Sequence, residues 1–211
     1  MSMSQSTRVW PARSQRGFTM LEVLVALLIL LIGLLGLAGL LVTTQQGEVE
    51  AYQRKQAIVL LQDMVDRVTA NPVAAACYVV TTDAANGAPS LGTGNAVDAT
   101  FSCSTGSVTQ QARGRADLKA WNNALLGTSE RKGSANTPVG AIIEARGCVT
   151  NPSTGVYAVS VAWRGLASTL APPSTYTCGK DQYLDAGGSA VEGEKLRRVI
   201  SITIRIANLA A

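Results

Sequence analysis

The 25 residues from Phe18 to Val42 contain a single ionisable side chain, Glu22. No other stretch constrains the chain as tightly, because a helix of that length spans roughly 37 Å and the hydrocarbon core of a bilayer is about 30 Å thick. The sequence predicts a membrane helix. Arg8, Arg13 and Arg16 precede it and no acid occurs among the first seventeen residues. The positive-inside rule therefore places Met1 to Gly17 in the cytoplasm and everything after Val42 across the membrane.

Two details set this stretch apart from a secretory signal. A signal peptide has a shorter apolar region with a small-residue cleavage site after it, whereas the sharp junction here, Arg16-Gly17-Phe18, lies before the apolar run. Processing at that junction leaves the helix on the protein. The second detail is the carboxylate of Glu22, which translocon-type scales charge about 2.5 to 3.5 kcal/mol at a helix centre and less near an end. It can snorkel to the headgroups and gain from the helix N-terminal dipole. Alternatively it answers an amine freed at Phe18, and in an apolar medium such a pair is worth far more than in water. The position of Gly17-Phe18, four residues before Glu22, favours the second reading.

Gly17-Phe18-Thr19-Met20-Leu21-Glu22-Val23-Leu24-Val25-Ala26-Leu27 resembles the processing site and helix start of type IV prepilins. The resemblance implies cleavage after Gly17 by a dedicated peptidase and methylation of the new terminal Phe18. It also implies that Glu22 meets the N-terminal amine of a neighbouring subunit. Met20 stands where leucine is more usual, a change of similar volume.

The implied organisation is a cleaved leader over 1–17, a long helix over 18–70 with its transmembrane part at 18–42, and a periplasmic globular domain over 71–211. The leader holds three of the 18 basic residues and none of the 14 acids. The mature chain is thus nearly neutral, and its charge gives no reason to expect a nucleic-acid partner. Beyond Val42 the helical pattern persists through Tyr52, Ile58, Leu61, Met64, Val65 and Val68. Glu50 with Arg54 and Asp63 with Arg67 form candidate i,i+4 pairs on the other side. Pro72 stops the helix near Asn71, since proline disfavours a helical conformation in the residue before it. Gly33, Gly36, Gly39 and Gly47 weaken the helix by about 1 kcal/mol each in water. They are open to two readings, close packing or local unwinding on one side, and the ordinary glycine content of membrane helices on the other.

From Val73 to about Gln111 the composition predicts a long surface loop with β-prone pieces at Tyr78 to Thr82 and Val97 to Cys103. A short helix is expected over Ala116 to Leu126, with Leu118, Trp121 and Leu125 on one face, Asp117 in the first turn and Gly127 as its C-cap. A polar turn region, Gly127 to Pro138, comes next. Strands are expected at Val139 to Val149, at Val156 to Trp163 and at Arg198 to Ala207. The last places Ile200, Ile202, Ile204 and Ile206 on one face. The fold class is therefore α+β, a long N-terminal helix packed on a small antiparallel sheet, as in type IV pilins.

Cys77, Cys103, Cys148 and Cys178 all lie in the exported part, at spacings unlike those of zinc sites, which points to disulfides. Four cysteines allow three connectivities. Cys77–Cys103 and Cys148–Cys178 is preferred because each closes a local loop. The chain has no histidine, which removes the commonest general base, the usual triads and most catalytic zinc sites, and no phosphate-binding glycine pattern opens a helix. Neither an enzyme nor a cofactor is expected. Asp181, Asp185, Glu192 and Glu194 lack the order of a calcium loop and read as solvated, so no metal is expected either. Arg113, Arg115, Lys119, Arg131 and Lys132 likewise read as solvated.

Over most of the mature chain the sequence is similar to minor pilins of the PilV type. The similarity rests on the helix start, the Asp117-Leu118 to Trp121 to Leu125 segment and Arg146-Gly147-Cys148-Val149. Tyr157 with Val161-Ala162-Trp163-Arg164-Gly165, Cys178-Gly179 and the closing RRVISITIRI strand complete it. It implies a subunit that helps initiate type IV pilus assembly at or near the tip and supports piliation, twitching motility and attachment. Implied partners are other minor pilins, the major pilin, the prepilin peptidase, the inner-membrane assembly platform and, where present, a tip adhesin. The implied location is the inner membrane and then the pilus. A minor pseudopilin of type II secretion and a tip adhesin or DNA-uptake pilin are the alternatives.

Overall fold

A computed structural model of the chain describes residues 17–94, 103–128, 130–133, 137–138, 140 and 142–207. The elements in order are α1 (Met20–Thr69), a 3-10 helix (Pro72–Tyr78), β1 (Leu91–Gly92), α2 (Val108–Leu125), β2 (Arg131–Lys132), β3 (Thr137–Pro138), β4 (Arg146–Ser153), β5 (Val156–Arg164), α3 (Ala190–Gly193) and β6 (Arg197–Arg205). The chain divides into two compact units, Met1–Gln45 and Gln46–Ala211, with the boundary inside α1. The α+β class is borne out: the second unit packs the C-terminal turns of α1 on an antiparallel sheet of order β1-β4-β5-β6.

Within that unit α1 buries Gln53, Ala57, Leu61, Met64 and Val68, spaced at three and four residues along one stripe. The expected stripe is right at Leu61, Met64 and Val68 and displaced before them. Tyr52 is 61% exposed and Ile58 39%, while Ala57 is wholly buried. A small side chain at that point lets the helix backbone lie close to its neighbours. Asp63 and Arg67 form their i,i+4 pair at 3.0 Å. Glu50 does not pair with Arg54; its carboxylate accepts from the Leu166 and Ala167 amides and lies 3.3 Å from an Arg198 nitrogen. Two backbone donors and a partly buried guanidinium outcompete a solvated partner one turn away.

Helix α2 begins eight residues before the expected Ala116 because of a capping box. The Ser107 hydroxyl accepts from the Gln110 amide at 3.3 Å, and the Gln110 side chain accepts from the Ser107 amide at 2.8 Å. Asp117 consequently sits mid-helix rather than in the first turn. Gly127 takes a positive φ of 64° after the helix and donates to the Ala124 carbonyl, as a C-cap glycine should.

The expected long loop is also broken by the 3-10 helix over Pro72–Tyr78 and by β1. Tyr78 to Thr82 forms no strand, although the Thr81 amide donates to the Val149 carbonyl at 3.0 Å. Most of Val97 to Cys103 lies outside the described residues. The turn region before Pro138 contains the two-residue β2–β3 ladder. The strand expected from Val139 starts only at Arg146, since Glu144 has a φ of +50° that extended backbone cannot accommodate.

Strand β5 behaves as its alternation requires, burying Tyr157, Val159, Val161 and Trp163. Strand β6 pairs with β5 from Arg197 opposite Arg164 to Arg205 opposite Val156 and forms the sheet edge. Ile200, Ile204 and Ile206 pack partly against the core, whereas Ile202 stays 42% exposed.

Trp121 of α2 is completely buried, and its indole N–H donates to the Leu60 carbonyl of α1 at 2.8 Å. Nearby, the Asp117 carboxylate accepts from Arg67 at 2.9 Å and from the Tyr78 hydroxyl at 2.6 Å, joining α1, α2 and the 3-10 helix at one point. Burial, followed by the bond to this carboxylate, pushes the Tyr78 phenol up to about 12, so it stays protonated and donates.

The ring of Trp121 lies on β4 at Gly147, where a Cβ would overlap the indole and come within 2.7 Å of Leu125 Cδ1. Gly147→Ala should therefore destabilise the second unit by about 1 to 3 kcal/mol through overpacking. Thermal unfolding of the full chain in detergent checks this, and an unchanged midpoint would show that the indole can move aside.

Candidate functional site

In the first unit Gly17 and Phe18 lead into α1, whose start is capped by Thr19. The Glu22 amide donates to the Thr19 carbonyl at 3.0 Å and lies 3.3 Å from its hydroxyl. Phe18, Glu22, Ala26 and Leu30 recur every fourth residue, and with Val23 and Leu27 they line a shallow groove of about 450 Å³. Glu22 is thus the one carboxylate in an otherwise apolar trough, with Phe18 at its mouth.

No described residue of the first unit covers these side chains. Phe18 is 83% exposed, and every described residue from Gly17 to Gln45 is exposed. The most apolar window of α1 has a mean hydropathy of 3.0 and none of it is buried. Such a surface demands a lipid or helical environment. At its far end the Thr43 and Thr44 hydroxyls both donate to the Leu40 carbonyl, at 2.8 and 2.9 Å. Those bonds satisfy the hydroxyls within the helix, as an apolar medium requires.

A Cβ at Gly17 would meet nothing within 4 Å, nor would one at Gly33, Gly36, Gly39 or Gly47. The fold of this chain does not need glycine at these positions, so any requirement for it comes from what binds there. The helix runs through the last four without a break.

The other candidate clusters do not converge on a site. Asp185 accepts from the Gly187 and Ser189 amides, Glu192 pairs with Lys195 at 2.7 Å, and Glu194 accepts from the Asp181 amide. Glu194 also pairs at 2.6 Å with Arg197, whose side chain is only 2% exposed and donates to the Tyr176 and Cys178 carbonyls. The expectation of a solvated acidic loop fails at Glu194 for that reason. The i,i+3 spacing of Glu194 and Arg197 was the available signal. Among the described residues no three metal-ligating side chains gather. Arg115, Lys119 and Lys132 are exposed, and Arg113 stands 3.9 Å from Asp117. The side chain of Arg131 lies outside the described residues, as do Arg8, Arg13 and Arg16.

Residues 12–38 match the family described as Prokaryotic N-terminal methylation motif. The match includes Gly17, Phe18, Glu22 and the groove, and stops before the second unit. Neither the curated proteins nor the solved structures contain a match to the chain. The motif supports a type IV pilin-like or pseudopilin chain, and among the described residues one helix is long and apolar enough to anchor it in a membrane.

The remaining predicted site residues are the cysteines. Of the three connectivities, the structure has Cys77 bonded to Cys103 and Cys148 to Cys178. The first ties the 3-10 helix to the approach to α2, and the second ties β4 to the segment between β5 and β6. Loops closed over 26 and 30 residues should each stabilise the domain by about 3 to 4 kcal/mol in the chain-entropy account. Cys148→Ser with Cys178→Ser should lower the denaturant midpoint accordingly. Non-reducing peptide mapping of the exported parent chain should recover both linked pairs, and free thiols there would refute the framework.

Proposed function

We propose that the chain is a minor pilin of a type IV pilus, of the PilV type. The observation that carries this reading is the trough formed by Phe18, Glu22, Ala26 and Leu30 on a wholly exposed apolar helix, at the start of the segment that matches the methylation motif. Cleavage after Gly17 would leave an amine at Phe18, at the mouth of a groove whose only charged side chain is Glu22. In a bundle of such helices the amine of one subunit and the Glu22 carboxylate of the next compensate each other, which fixes the stagger between them. Because both charges sit where water is excluded, a wrong stagger costs more than it would at a solvated surface.

The role that follows is architectural rather than enzymatic. The leader of 1–17 is removed by the prepilin peptidase, Phe18 is N-methylated, and the domain stands in the periplasm on the transmembrane part of α1. The subunit then joins other minor pilins and the major pilin through the inner-membrane assembly platform. It initiates assembly and remains at or near the tip, supporting piliation, twitching motility and attachment. The methylation motif also begins minor pseudopilins of type II secretion, which is the second reading. Mass spectrometry of sheared pili separates the two: the pilus reading requires this chain among the pilus proteins.

The mature N-terminus should be methylated Phe18, and a chain beginning at Met1 or beyond Val42 sinks both readings. Glu22→Val should leave membrane insertion and domain folding intact, since an apolar residue is easier to place in lipid. Association should weaken by roughly 3 to 5 kcal/mol where the pair is fully desolvated, more than two powers of ten. Co-purification with other pilus subunits and counts of surface pili read this out. Normal piliation would show that Glu22 only snorkels.

A further inference from the structure

The four-stranded sheet of the second unit has two edges of different kinds. At one, β1 is only two residues long and offers almost no ladder. At the other, β6 runs for nine residues, Arg197 to Arg205, in unbroken register with β5 and without a bulge or a proline. Open sheets ordinarily blunt their edges with short strands, bulges, prolines or lysines, because a bare edge is a template for a further strand. β6 has none of these guards, and its free stretch from Val199 onward carries one charge, at Arg205.

Which main-chain groups this edge leaves free follows from the bonds at its two ends. The Gly165 amide donates to the Leu196 carbonyl and the Ile206 amide to the Gly155 carbonyl, both at 2.8 Å, so the even-numbered residues from 196 to 206 bond toward β5. In an antiparallel ladder the alternate residues turn both groups the other way. Val199, Ser201, Thr203 and Arg205 therefore direct their N–H and C=O away from β5, and among the described residues no strand lies there. Ser201, Thr203 and Arg205 are exposed, and Ile202 between them is 42% exposed.

The two faces of the strand specify what fits beside it. Ile200, Ile202 and Ile204 share the face that packs on the core, and Ile202 is the most exposed of the three, so an added strand needs apolar side chains next to them. Ser201, Thr203 and Arg205 share the opposite face. Arg197 and Arg198 are already answered by Glu194 and Glu50, whereas Arg205 makes no hydrogen bond or ion pair through its side chain among the described residues. Opposite charges across a ladder stabilise it and like charges destabilise it. The strand RRVISITIR has three arginines and no acid. A second copy of β6 thus sets no carboxylate opposite Arg205 in any register, and the complement is a different chain.

We propose that β6 is an acceptor edge, which takes an extended, antiparallel segment of another polypeptide that alternates apolar and polar residues and sets a carboxylate beside Arg205. Main-chain bonds to Val199, Ser201, Thr203 and Arg205 supply the affinity, while the apolar and acidic positions fix register and choice of partner. The inference concerns the second unit alone and holds whether or not the chain is part of a pilus.

The probe is a fluorescently labelled peptide, Glu-Val-Thr-Val-Thr-Val-Thr, added to the full chain in detergent, with its glutamate opposite Arg205. One comparison peptide has lysine in place of the glutamate, and another has N-methyl groups on the first two threonines, whose N–H groups face β6. The glutamate peptide should bind at least about threefold more tightly than the lysine peptide, and the N-methylated one should not bind. Arg205→Glu changes an exposed side chain without a partner and should reverse the ranking of the first two, which a loss of folding cannot imitate. Thr203→Pro removes an outward N–H at an edge position where proline is tolerated, and should weaken binding about tenfold. Hydrogen exchange at the Val199, Ser201 and Thr203 amides should slow when the peptide binds. A glutamate peptide that does not bind, binding indifferent to N-methylation or to Arg205→Glu, or slowed exchange only elsewhere in the chain overturns the proposal. Amides already protected without peptide, in a chain that sediments as a dimer, give the edge to a second copy and overturn it as well.

Discussion

The hydrogen bond from the Trp121 indole to the Leu60 carbonyl fixes how the folded unit is put together. Its donor lies on α2 and its acceptor on α1, 61 residues apart, and the rest of the ring is buried against β4 at Gly147. One side chain thereby sets the spacing of two helices and a strand. Asp117, one turn earlier on the same helix, adds a polar counterpart by gathering Arg67 and Tyr78. Neither contact would suffice alone. The indole supplies apolar area but tolerates sliding, whereas the carboxylate with its short bonds defines position and relies on the surrounding burial for its strength. Gly114 and Gly147 permit both, since a side chain at either would push α2 away from the 3-10 helix or from the sheet.

The first unit obeys an opposite rule. Its helix satisfies its own backbone and even its threonine hydroxyls, yet buries none of its apolar side chains. A chain that completes its polar bonding and leaves its apolar surface bare is stable only in an apolar surround. Both lipid and a bundle of like helices meet that demand. That is why the same residues can serve an anchored subunit and an assembled one. On the proposed reading Glu22 would tell the two surroundings apart, because lipid headgroups and a neighbour's amine would compensate it in different positions.

Elements defined by periodicity were legible in the sequence. β5 and β6 follow from alternation, the end of α1 follows from Pro72, and the membrane helix follows from length and charge. What was missed depends on side chains bonding to backbone. Ser107 and Gln110 start α2 well before any apolar residue that repeats at helical spacing, so a search for such repeats begins the helix late. Glu50 finds its donors at Leu166 and Ala167, more than a hundred residues away, and no local rule brings them together. Ala57 replaces Ile58 on the buried stripe because closeness of approach, rather than hydrophobicity, decides which residue faces inward. At the candidate site the reverse holds. Gly17, Phe18 and Glu22 form a local pattern, and a local pattern survives intact in sequence.

Buried Arg197 shows why charge inside this fold is not simply a cost. Its guanidinium gives two bonds to Glu194 and one each to the Tyr176 and Cys178 carbonyls, so most of what it loses in hydration is returned as charge-assisted bonds. An apolar residue of equal size could fill the same volume but could not hold two carbonyls of an irregular segment in place. Glu50 does the matching work at the other end, holding two amides. The stretch between them has no charged residue and no regular structure of its own. A carboxylate grips its start and a guanidinium its end, and between them the Lys195 carbonyl holds the Thr169 amide.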